Sequence, residues 1–407
     1  MKVCMVGFFV YSGDGRVKGY AESLYRAGVG VDVLSIYGSA KNKSYENSGV
    51  RVFSIPIHRT RKNLVTYFLE YLSAFLFLGF LLTRMFIKEH YDVIHVHNMP
   101  DFLVFTGLIP KLFGAKIILD IHDPMPEVYM SKYPDAKKGW GVRFIRLEEK
   151  ISASFADAVI TANSHFRENI IKRGIRSSKI TVVHNFPDPN IFNRSAYSSR
   201  KEQHHERFTL IFPGTIAPRY GLEVAIKAMP LIKRRIKNIR LLIIGQQVGY
   251  MKSLISLADQ LGVTSVVEFR PPMRIEEIPK LLVQADIGIY PALPDPHMTI
   301  AVPGKLLEFA EMGLPILSSR LEIVEEIFDR SAVMFFEPGN VNQFSQCVIK
   351  LYKNPKLREE LVHNADRTFV RKHSWEPEFY AYLGVLARLS PREIKTINLK
   401  YVEKMPV

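Results

Sequence analysis

Cysteine is scarce in this chain: Cys4 and Cys347 are the only two among 407 residues. Two distant thiols in apolar surroundings cannot form a disulfide framework, so the sequence predicts a reducing compartment and a cytoplasmic protein. The first segment also lacks a small-residue cleavage site after its apolar run, MKVCMVGFFV. We therefore interpret this run as a buried strand rather than a signal peptide.

Acidic residues are outnumbered, with 40 Asp and Glu against 55 Lys and Arg, which gives a formal net charge of +15. This excess favours anionic partners such as phosphates, nucleic acid or an acidic membrane surface. Nucleic acid is not expected, because the basic residues are dispersed and no recognition module is present. A chain of this length and ordinary composition is expected to form two globular domains.

Long apolar runs are also rare, and the longest extends from Leu64 to Thr83 with Glu70 as its only charge. Its length is that of a membrane-crossing helix, roughly 20 residues. Basic residues flank both ends, so no inside–outside charge bias exists, and strand-like runs lie on both sides. We expect a long helix packed on a sheet, whose outer side is either an apolar membrane face or fully buried.

Short, continuous apolar runs alternate with amphipathic helical patterns, which is typical of parallel sheets covered on both faces. Seven such runs precede a linker around Pro187 and Pro189, and six follow it. The predicted fold is α/β, with two Rossmann-like, doubly wound parallel-sheet domains facing a cleft. The domains are residues 1–187 and 188–374; a helix at 375–390 completes the first, and residues 391–407 form a basic tail. Ligands of such sheets bind at the carboxyl ends of the strands.

In the first domain, Gly13 and Gly15 allow a tight turn and a close backbone approach to a ligand, although an ordinary strand-to-helix turn is equally consistent. The dinucleotide motif G-x-G-x-x-G is absent, which argues against a nicotinamide cofactor. Polar clusters follow the fourth and fifth strands, at the edge where α/β sites form. Their members are His95, His97, Asn98 and Asp101 in the first cluster, and His122, Asp123 and Glu127 in the second. No metal-ligand spacing supports zinc, and we expect no metal or other cofactor.

The second domain contains a candidate anion site. The stretch FPGTIAPRYG places Gly214 and Arg219 before one helix, and VPGKLLEF places Gly304, Lys305 and Leu306 at the start of another. Helix N-termini and arginine bind phosphate, so an anion would explain a lysine at a position that the helix dipole otherwise disfavours. Glu308, one turn further, could accept hydrogen bonds from both hydroxyls of a ribose. A surface Lys–Glu pair is the alternative.

The stretches YDVIHVHNMPDFLVFTGLIPKLFGAKIILDIHD and VPGKLLEFAEMGLPIL make the chain resemble glycosyltransferase family four, retaining enzymes of the GT-B fold. The resemblance implies a nucleotide-diphosphate sugar bound mainly by the second domain, with Glu308 as the ribose-binding residue. It implies an acceptor bound mainly by the first domain, and an active-site histidine at His122. We expect His122, Arg219 and Lys305 to be catalytic. The expected acceptor contacts are His97, Asn98, Asp101, Asp123 and Glu127.

The chain departs from the family pattern at two positions. Ile300 replaces a glutamate that often contacts the donor sugar, so we expect His297, Thr299 or loop amides to take over that contact. Thr215 replaces the first member of the diphosphate-binding basic pair, and Lys305 could compensate. The remaining expected donor contacts are Gly13, Gly15, Gly214, Gly304 and Leu306.

The resemblance therefore implies transfer of a sugar to an acceptor hydroxyl. The basic excess, the apolar helix and the scarcity of cysteine favour a lipid-linked saccharide in surface polysaccharide assembly at the inner face of the cell membrane. A nucleotide-sugar epimerase and a non-catalytic partner of an assembly complex are the alternatives.

Overall fold

The computed structural model describes residues 1–36, 49–57, 64–133, 139–200, 207–245, 249–371 and 375–392. It divides into two compact units. The first contains Met1–Asn185 and the segment that begins at Trp375, and the second contains Phe186–Ser374. The predicted basic tail lies outside the described residues from position 393 onward.

Each unit is built on one parallel sheet. The first sheet has the strand order β3-β2-β1-β4-β5-β6-β7, and the second has the order β10-β9-β8-β11-β12-β13. The strands of the first sheet are β1 Lys2–Gly7, β2 Gly30–Ile36, β3 Arg51–Ile55, β4 Val93–His97, β5 Lys116–Ile121, β6 Ala158–Thr161 and β7 Ile180–Val182. Those of the second are β8 Phe208–Pro213, β9 Ile239–Ile244, β10 Val267–Arg270, β11 Ile287–Tyr290, β12 Ile316–Ser319 and β13 Val333–Phe336. Each of the thirteen apolar runs forms a strand, which confirms the predicted pair of doubly wound α/β domains.

Helices connect the strands. The first unit contains α1 Gly15–Arg26, α2 Leu64–Glu89, α3 Leu108–Leu112, α4 Met125–Lys132, α5 Trp140–Phe155 and α6 Ser164–Lys172. The second contains α7 Leu222–Lys233, α8 Gly249–Gln260, α9 Ile278–Leu282, α10 Gly304–Glu311, α11 Glu322–Ile327, α12 Val341–Lys353 and α13 Pro355–Ala365. The last helix, α14 Trp375–Leu389, belongs to the first unit. A 3₁₀ helix, Asp101–Gly107, follows β4.

The first sheet is covered on both faces, which explains why its strands are apolar without alternation. Val3 and Met5 of β1 pack in one cluster with α1 and α14, whereas Cys4 and Val6 pack in the other with α2 and the 3₁₀ helix. The C-terminal helix is held on its face partly by the Trp375 indole, whose Nε1–H donates to Ser23 Oγ at 2.9 Å.

Helix α2 packs on the sheet through one side only. Ala74, Leu78 and Leu82 are fully buried, but Leu76 and Phe80 on the outer side are exposed. Among the described residues, the stretch Leu69–Glu89 is the one helix long and apolar enough to cross a membrane by length and composition, and about a third of it is buried. The outer side of this helix is therefore not fully buried, and a membrane face stays a prediction.

Candidate functional site

Asp120 is the centre of a buried polar network at the ends of β4 and β5. Arg16 of α1 donates to both carboxylate oxygens, each at 3.0 Å, and its third nitrogen donates to the Val183 carbonyl at 2.8 Å. The Arg16 and Asp120 side chains are 3% and 0% exposed, so this bidentate ion pair is cut off from water. Asp14 caps α1 by accepting from the Val17 N–H, which fixes the turn that carries Arg16.

His122 lies directly against this carboxylate. Its Nε2 is 3.2 Å from Asp120 Oδ2 and 3.0 Å from His97 Nδ1, and its main-chain N–H donates to Asn98 Oδ1 at 2.9 Å. Burial opposes protonation, but the carboxylate of Asp120 outweighs burial and raises the pKa of His122. The same network, led by Arg16, overcomes the effect of burial on Asp120 and holds the pKa of that carboxyl well below its usual range. The Asp120 carboxylate therefore favours the protonated form of His122 more than water would.

The two other histidines of the network differ from His122, because both are completely buried. Burial lowers the pKa of His95 and, more strongly, that of His97. His95 Nδ1 contacts the Tyr382 hydroxyl of α14 at 2.9 Å. His97 thus contacts the buried side of the His122 ring and does not reach the surface.

A pocket of about 290 Å³ opens at His122. It brings together four of the predicted residues, namely Gly13, Asn98, His122 and Asp123. Its other lining residues are Phe8, Phe9, Val10, Asp14, Tyr71 and Met99. A Cβ at Gly13 would meet no atom within 4 Å, so the turn leaves open space beside the pocket. Gly15 lies in the same turn, as the first residue of α1.

The predicted acceptor residues Asp101 and Glu127 lie elsewhere, in a second buried cluster of the same unit. Glu127 is paired with Arg173, which also donates to both oxygens of Glu149 at 2.7 Å. Asp101 is fully buried and accepts from the Asn98 side chain at 2.9 Å. Neither carboxylate lines the pocket at His122.

His95, His97 and Asp120 are also close enough to hold a metal ion, since one ligand atom from each lies within 4.8 Å of the others. The chemistry of the cluster argues for a different arrangement. Both oxygens of Asp120 already accept from Arg16, so a cation there would face a buried guanidinium. The set fits a hydrogen-bonded charge network better than a metal centre.

In the second unit, two predicted cations lie beside the same aromatic ring. Lys305 Nζ is 4.4 Å and Arg219 Cζ 5.4 Å from the centroid of Tyr220. Within the described ranges of the chain, neither side chain forms an ion pair, and Arg219 Nε is a buried donor without a hydrogen-bond partner. Buried donors are rarely left unpaired in proteins, so Arg219 Nε is a donor that a polar or anionic group could use.

Gly214 makes room for Lys305. Its φ is +127°, and a Cβ there would lie 2.3 Å from Lys305 Cε. Lys305 occupies the first turn of α10, where Pro303 is the N-cap and no side chain caps the helix. The start of α10 and the two cations therefore lie in one region of the second unit, because Lys305 belongs to both.

Glu308 follows Lys305 by less than one turn and is partly buried. Burial raises the pKa of Glu308 to about 7, although the charge of Lys305 acts in the opposite direction. At neutral pH this carboxyl is therefore poised between its two charge states.

The loop before α10 is ordered by Asp295, a residue that sequence reasoning did not identify. Asp295 Oδ1 accepts from the main-chain N–H groups of His297 and Met298 at 2.8 and 2.7 Å. The Thr299 hydroxyl donates to the Asp295 carbonyl at 2.8 Å, so it is used within the loop. His297 is buried, and Ile300 belongs to the same turn through a hydrogen bond from its N–H to the His297 carbonyl.

Two doubly wound parallel-sheet units in one chain define the GT-B class of fold. Residues 15–185 match the family described as Glycosyl transferase 4-like domain, and residues 194–368 match Glycosyl transferases group 1. The two matches follow one another along most of the chain. The chain thus belongs to the glycosyltransferases of the family-four type and is a transferase enzyme.

Relatives agree with this assignment. A glycosyltransferase of Methanocaldococcus jannaschii, MJ1607, is 26% identical over 88% of this chain and 90% of its own length. One component of the human phosphatidylinositol N-acetylglucosaminyltransferase is 20% identical over 90% of this chain and 72% of its own. The crystal structure of Anabaena Alr3699/HepE in complex with UDP and glucose has a TM-score of 0.72 at 17% identity, covering 95% of this chain and all of the other. The epimerase and non-catalytic alternatives gain no support from these matches.

Proposed function

We propose that this enzyme is a retaining glycosyltransferase that uses a nucleotide-diphosphate sugar as donor. The observation that carries the proposal is the pair of unpaired cations, Arg219 and Lys305, beside the uncapped start of α10. A pyrophosphate carries the negative charge that such a region binds, and preorganised cations stabilise it further as the sugar departs. The complex of Alr3699/HepE with UDP and glucose supports the choice of donor class.

Each residue near α10 then has a role. Lys305, Arg219 and the amide of Gly304 bind the diphosphate, and Gly214 provides space for Lys305. The Leu306 N–H already donates to the Pro303 carbonyl at 2.9 Å. Glu308, in its ionised form, accepts hydrogen bonds from the ribose hydroxyls. The backbone of the loop ordered by Asp295 contacts the donor sugar in place of the glutamate that Ile300 replaces.

The reaction needs no covalent intermediate on the enzyme. The bond between the anomeric carbon and the phosphate oxygen breaks, and a bond from the acceptor oxygen forms on the same face of the sugar. The proton of the acceptor hydroxyl passes to an oxygen of the departing diphosphate. His122, as an imidazolium, donates a hydrogen bond to a sugar hydroxyl and orients the ring. This route differs from that of retaining glycosidases, which use a carboxylate nucleophile.

For the acceptor, we propose a lipid-linked saccharide used in surface polysaccharide assembly at the cytoplasmic face of the membrane, without a metal cofactor. The net charge of +15 and the exposed outer side of α2 support an anionic lipid environment. The relation to a phosphatidylinositol N-acetylglucosaminyltransferase supports an acceptor that carries a lipid. Asn98 and Asp123 at the His122 pocket are the acceptor contacts that this proposal favours.

The donor site can be tested by measuring the thermal stability and the affinity of the enzyme with UDP-, GDP- and dTDP-sugars, since a bound ligand raises the apparent stability. Lys305→Met and Arg219→Gln should each weaken donor binding about tenfold to a hundredfold, because each removes a charge-assisted contact. Lys227→Met is the matched control, since Lys227 is exposed and pairs with Glu223 on its own helix. Unchanged donor affinity in both site variants would refute the assignment.

A further inference from the structure

The outward face of α5 is apolar, although the helix already has a buried face. Trp140, Phe144, Leu147 and Ile151 are 83%, 62%, 54% and 51% exposed. Their spacing places them along one stripe of the helix, while Val142, Ser152 and Ala153 face the interior. A surface helix normally presents polar side chains outward, so the sequence of α5 is suited to a second apolar contact.

Cations flank this stripe. Arg143, Arg146 and Lys150 are exposed, and none forms an ion pair within the part of the chain that the structure describes. The two acidic residues of α5 do not neutralise these cations at the surface. Glu149 is buried against Arg173, and burial raises the pKa of Glu148 to about 7. The outer face of α5 therefore combines apolar and positively charged groups.

Helix α5 shares its layer with α2, on the same face of the first sheet. Both helices pack on the 3₁₀ helix Asp101–Gly107. Its Phe102 contacts Phe75 of α2, and its Phe105 contacts Phe155 of α5, with ring centroids 5.9 and 5.0 Å apart. Both helices contribute to the core cluster on this face of the sheet, and each leaves apolar side chains exposed outside that cluster.

We propose that the outer side of this layer is a membrane-docking surface for an anionic lipid bilayer, with α5 lying in the plane of the interface. Its defining residues on α5 are Trp140, Arg143, Phe144, Arg146, Leu147 and Ile151. Apolar side chains would enter the acyl boundary, the indole would lie at headgroup depth, and the arginines would contact anionic headgroups.

Charge decides between a bilayer and a second copy of the chain. A symmetric dimer through this surface would place the arginines of the two copies against each other, and like charges disfavour that contact. An anionic bilayer instead complements them. The purpose of this surface rests on the proposed lipid-linked acceptor, but docking itself requires no turnover and can be measured without substrate.

The chain contains a natural probe of this surface. It has two tryptophans, of which Trp375 is 8% exposed and hydrogen-bonded to Ser23, so changes in emission report on Trp140. Phosphatidylcholine vesicles that contain phosphatidylglycerol should shift the emission to shorter wavelength and allow quenching by brominated acyl chains. High salt should weaken the effect. Emission that stays unchanged with anionic vesicles would overturn the proposal.

Variants then locate the contact. Phe144→Ala with Leu147→Ala should weaken vesicle partitioning at least tenfold, because two apolar side chains no longer enter the bilayer. Arg143→Glu with Arg146→Glu should weaken it on the order of a hundredfold or more, since each charge near an anionic surface changes binding about fivefold. The matched control is Arg234→Glu with Arg235→Glu, which changes the net charge equally at exposed positions of the second unit.

Three results would contradict the proposal: no loss of binding in the α5 variants, an equal loss in the control, or equal binding to vesicles of pure phosphatidylcholine. A chain that self-associates until Phe144 is replaced, and does not bind vesicles, would identify a second copy as the occupant instead. Thermal shifts with nucleotide sugars test the donor site separately. The α5 variants should retain these shifts, so a failure of docking and a failure of the proposed function can be told apart.

Discussion

Replacing Asp120 by asparagine removes the charge on which the polar network of the first unit depends. The side chain keeps its shape but can no longer neutralise Arg16. The Arg16 side chain is 3% exposed and donates to both oxygens of the Asp120 carboxylate at 3.0 Å. Removing one partner of a buried ion pair usually costs about 3 to 5 kcal/mol, because the remaining charge stays buried. We expect a loss of this size in the free energy of unfolding, measured by denaturant titration.

Asp120→Asn should also change the protonation of His122. The carboxylate 3.2 Å from its Nε2 raises the pKa of His122 against the opposing effect of burial. Without that charge burial dominates, and the imidazole becomes neutral at lower pH. If the imidazolium orients the sugar, the high-pH limb of the transfer rate should move to lower pH in the variant. Histidine NMR signals followed by titration would report the same shift directly.

The pH dependence of stability has a defined sign. Because the pKa of Asp120 is held well below its usual range in the folded protein, its contribution to stability is complete above the unfolded pKa, about 4. It is lost as the pH falls through the folded pKa, so wild-type stability should fall in acid and the variant should fall less. The double variant Arg16→Met/Asp120→Asn should lose less than the sum of the single variants.

The control for Asp120 is Asp259→Asn, at an exposed position of the second unit. A loss below about 1 kcal/mol in Asp120→Asn, together with an unchanged pH profile, would refute the role given to this carboxylate.

Three further predictions concern other parts of the molecule. The Glu308 carboxyl has a pKa of about 7, so donor affinity should fall about tenfold between one pH unit above 7 and one pH unit below it, as this carboxyl becomes protonated. Glu308→Gln should abolish this pH dependence in calorimetric titrations. Gly214→Ala should destabilise the fold by about 1 to 3 kcal/mol, because alanine is strained at the positive φ of this position. It should also weaken donor binding, because the added Cβ would displace the Lys305 side chain. Arg173→Met should cost about 3 to 5 kcal/mol in denaturant titrations, since it leaves Glu149 buried without a partner.

Each of these variants has a matched control. Glu322→Gln changes an exposed carboxyl at the start of another helix, and should leave the pH dependence of donor binding intact. Gly114→Ala has a φ of +100° and no atom within 4 Å of the added Cβ, so it introduces backbone strain without the clash. Arg176→Met removes an exposed cation near Arg173. Controls as severe as the site variants would contradict the corresponding arguments.

Local pattern was sufficient for the fold and for part of the site. Continuous β-branched runs predict strands buried on both faces, and every such run forms a strand of a parallel sheet. His122, Asn98 and Lys305 could be identified because polar residues directly after an apolar strand, or a lysine at a helix start, are unusual for local reasons. Their roles in donor and acceptor binding stay predictions.

The Arg16–Asp120 pair could not be identified in this way. Its members are 104 residues apart in the sequence. The only local sign of this ion pair in the sequence was an acidic residue, Asp120, within an otherwise apolar strand. The buried positions of Asp101 and Glu127 were hidden too, because Arg173 approaches them from another helix.

The sequence by itself determined that the chain forms two parallel α/β sheets with cations at a helix start, because hydrophobic periodicity and helix-end chemistry are local properties. Tertiary structure alone decided which polar groups are buried together and which side of α5 faces outward. An amphipathic pattern records that a helix has two unlike faces, but the packing of neighbouring elements determines which face is covered.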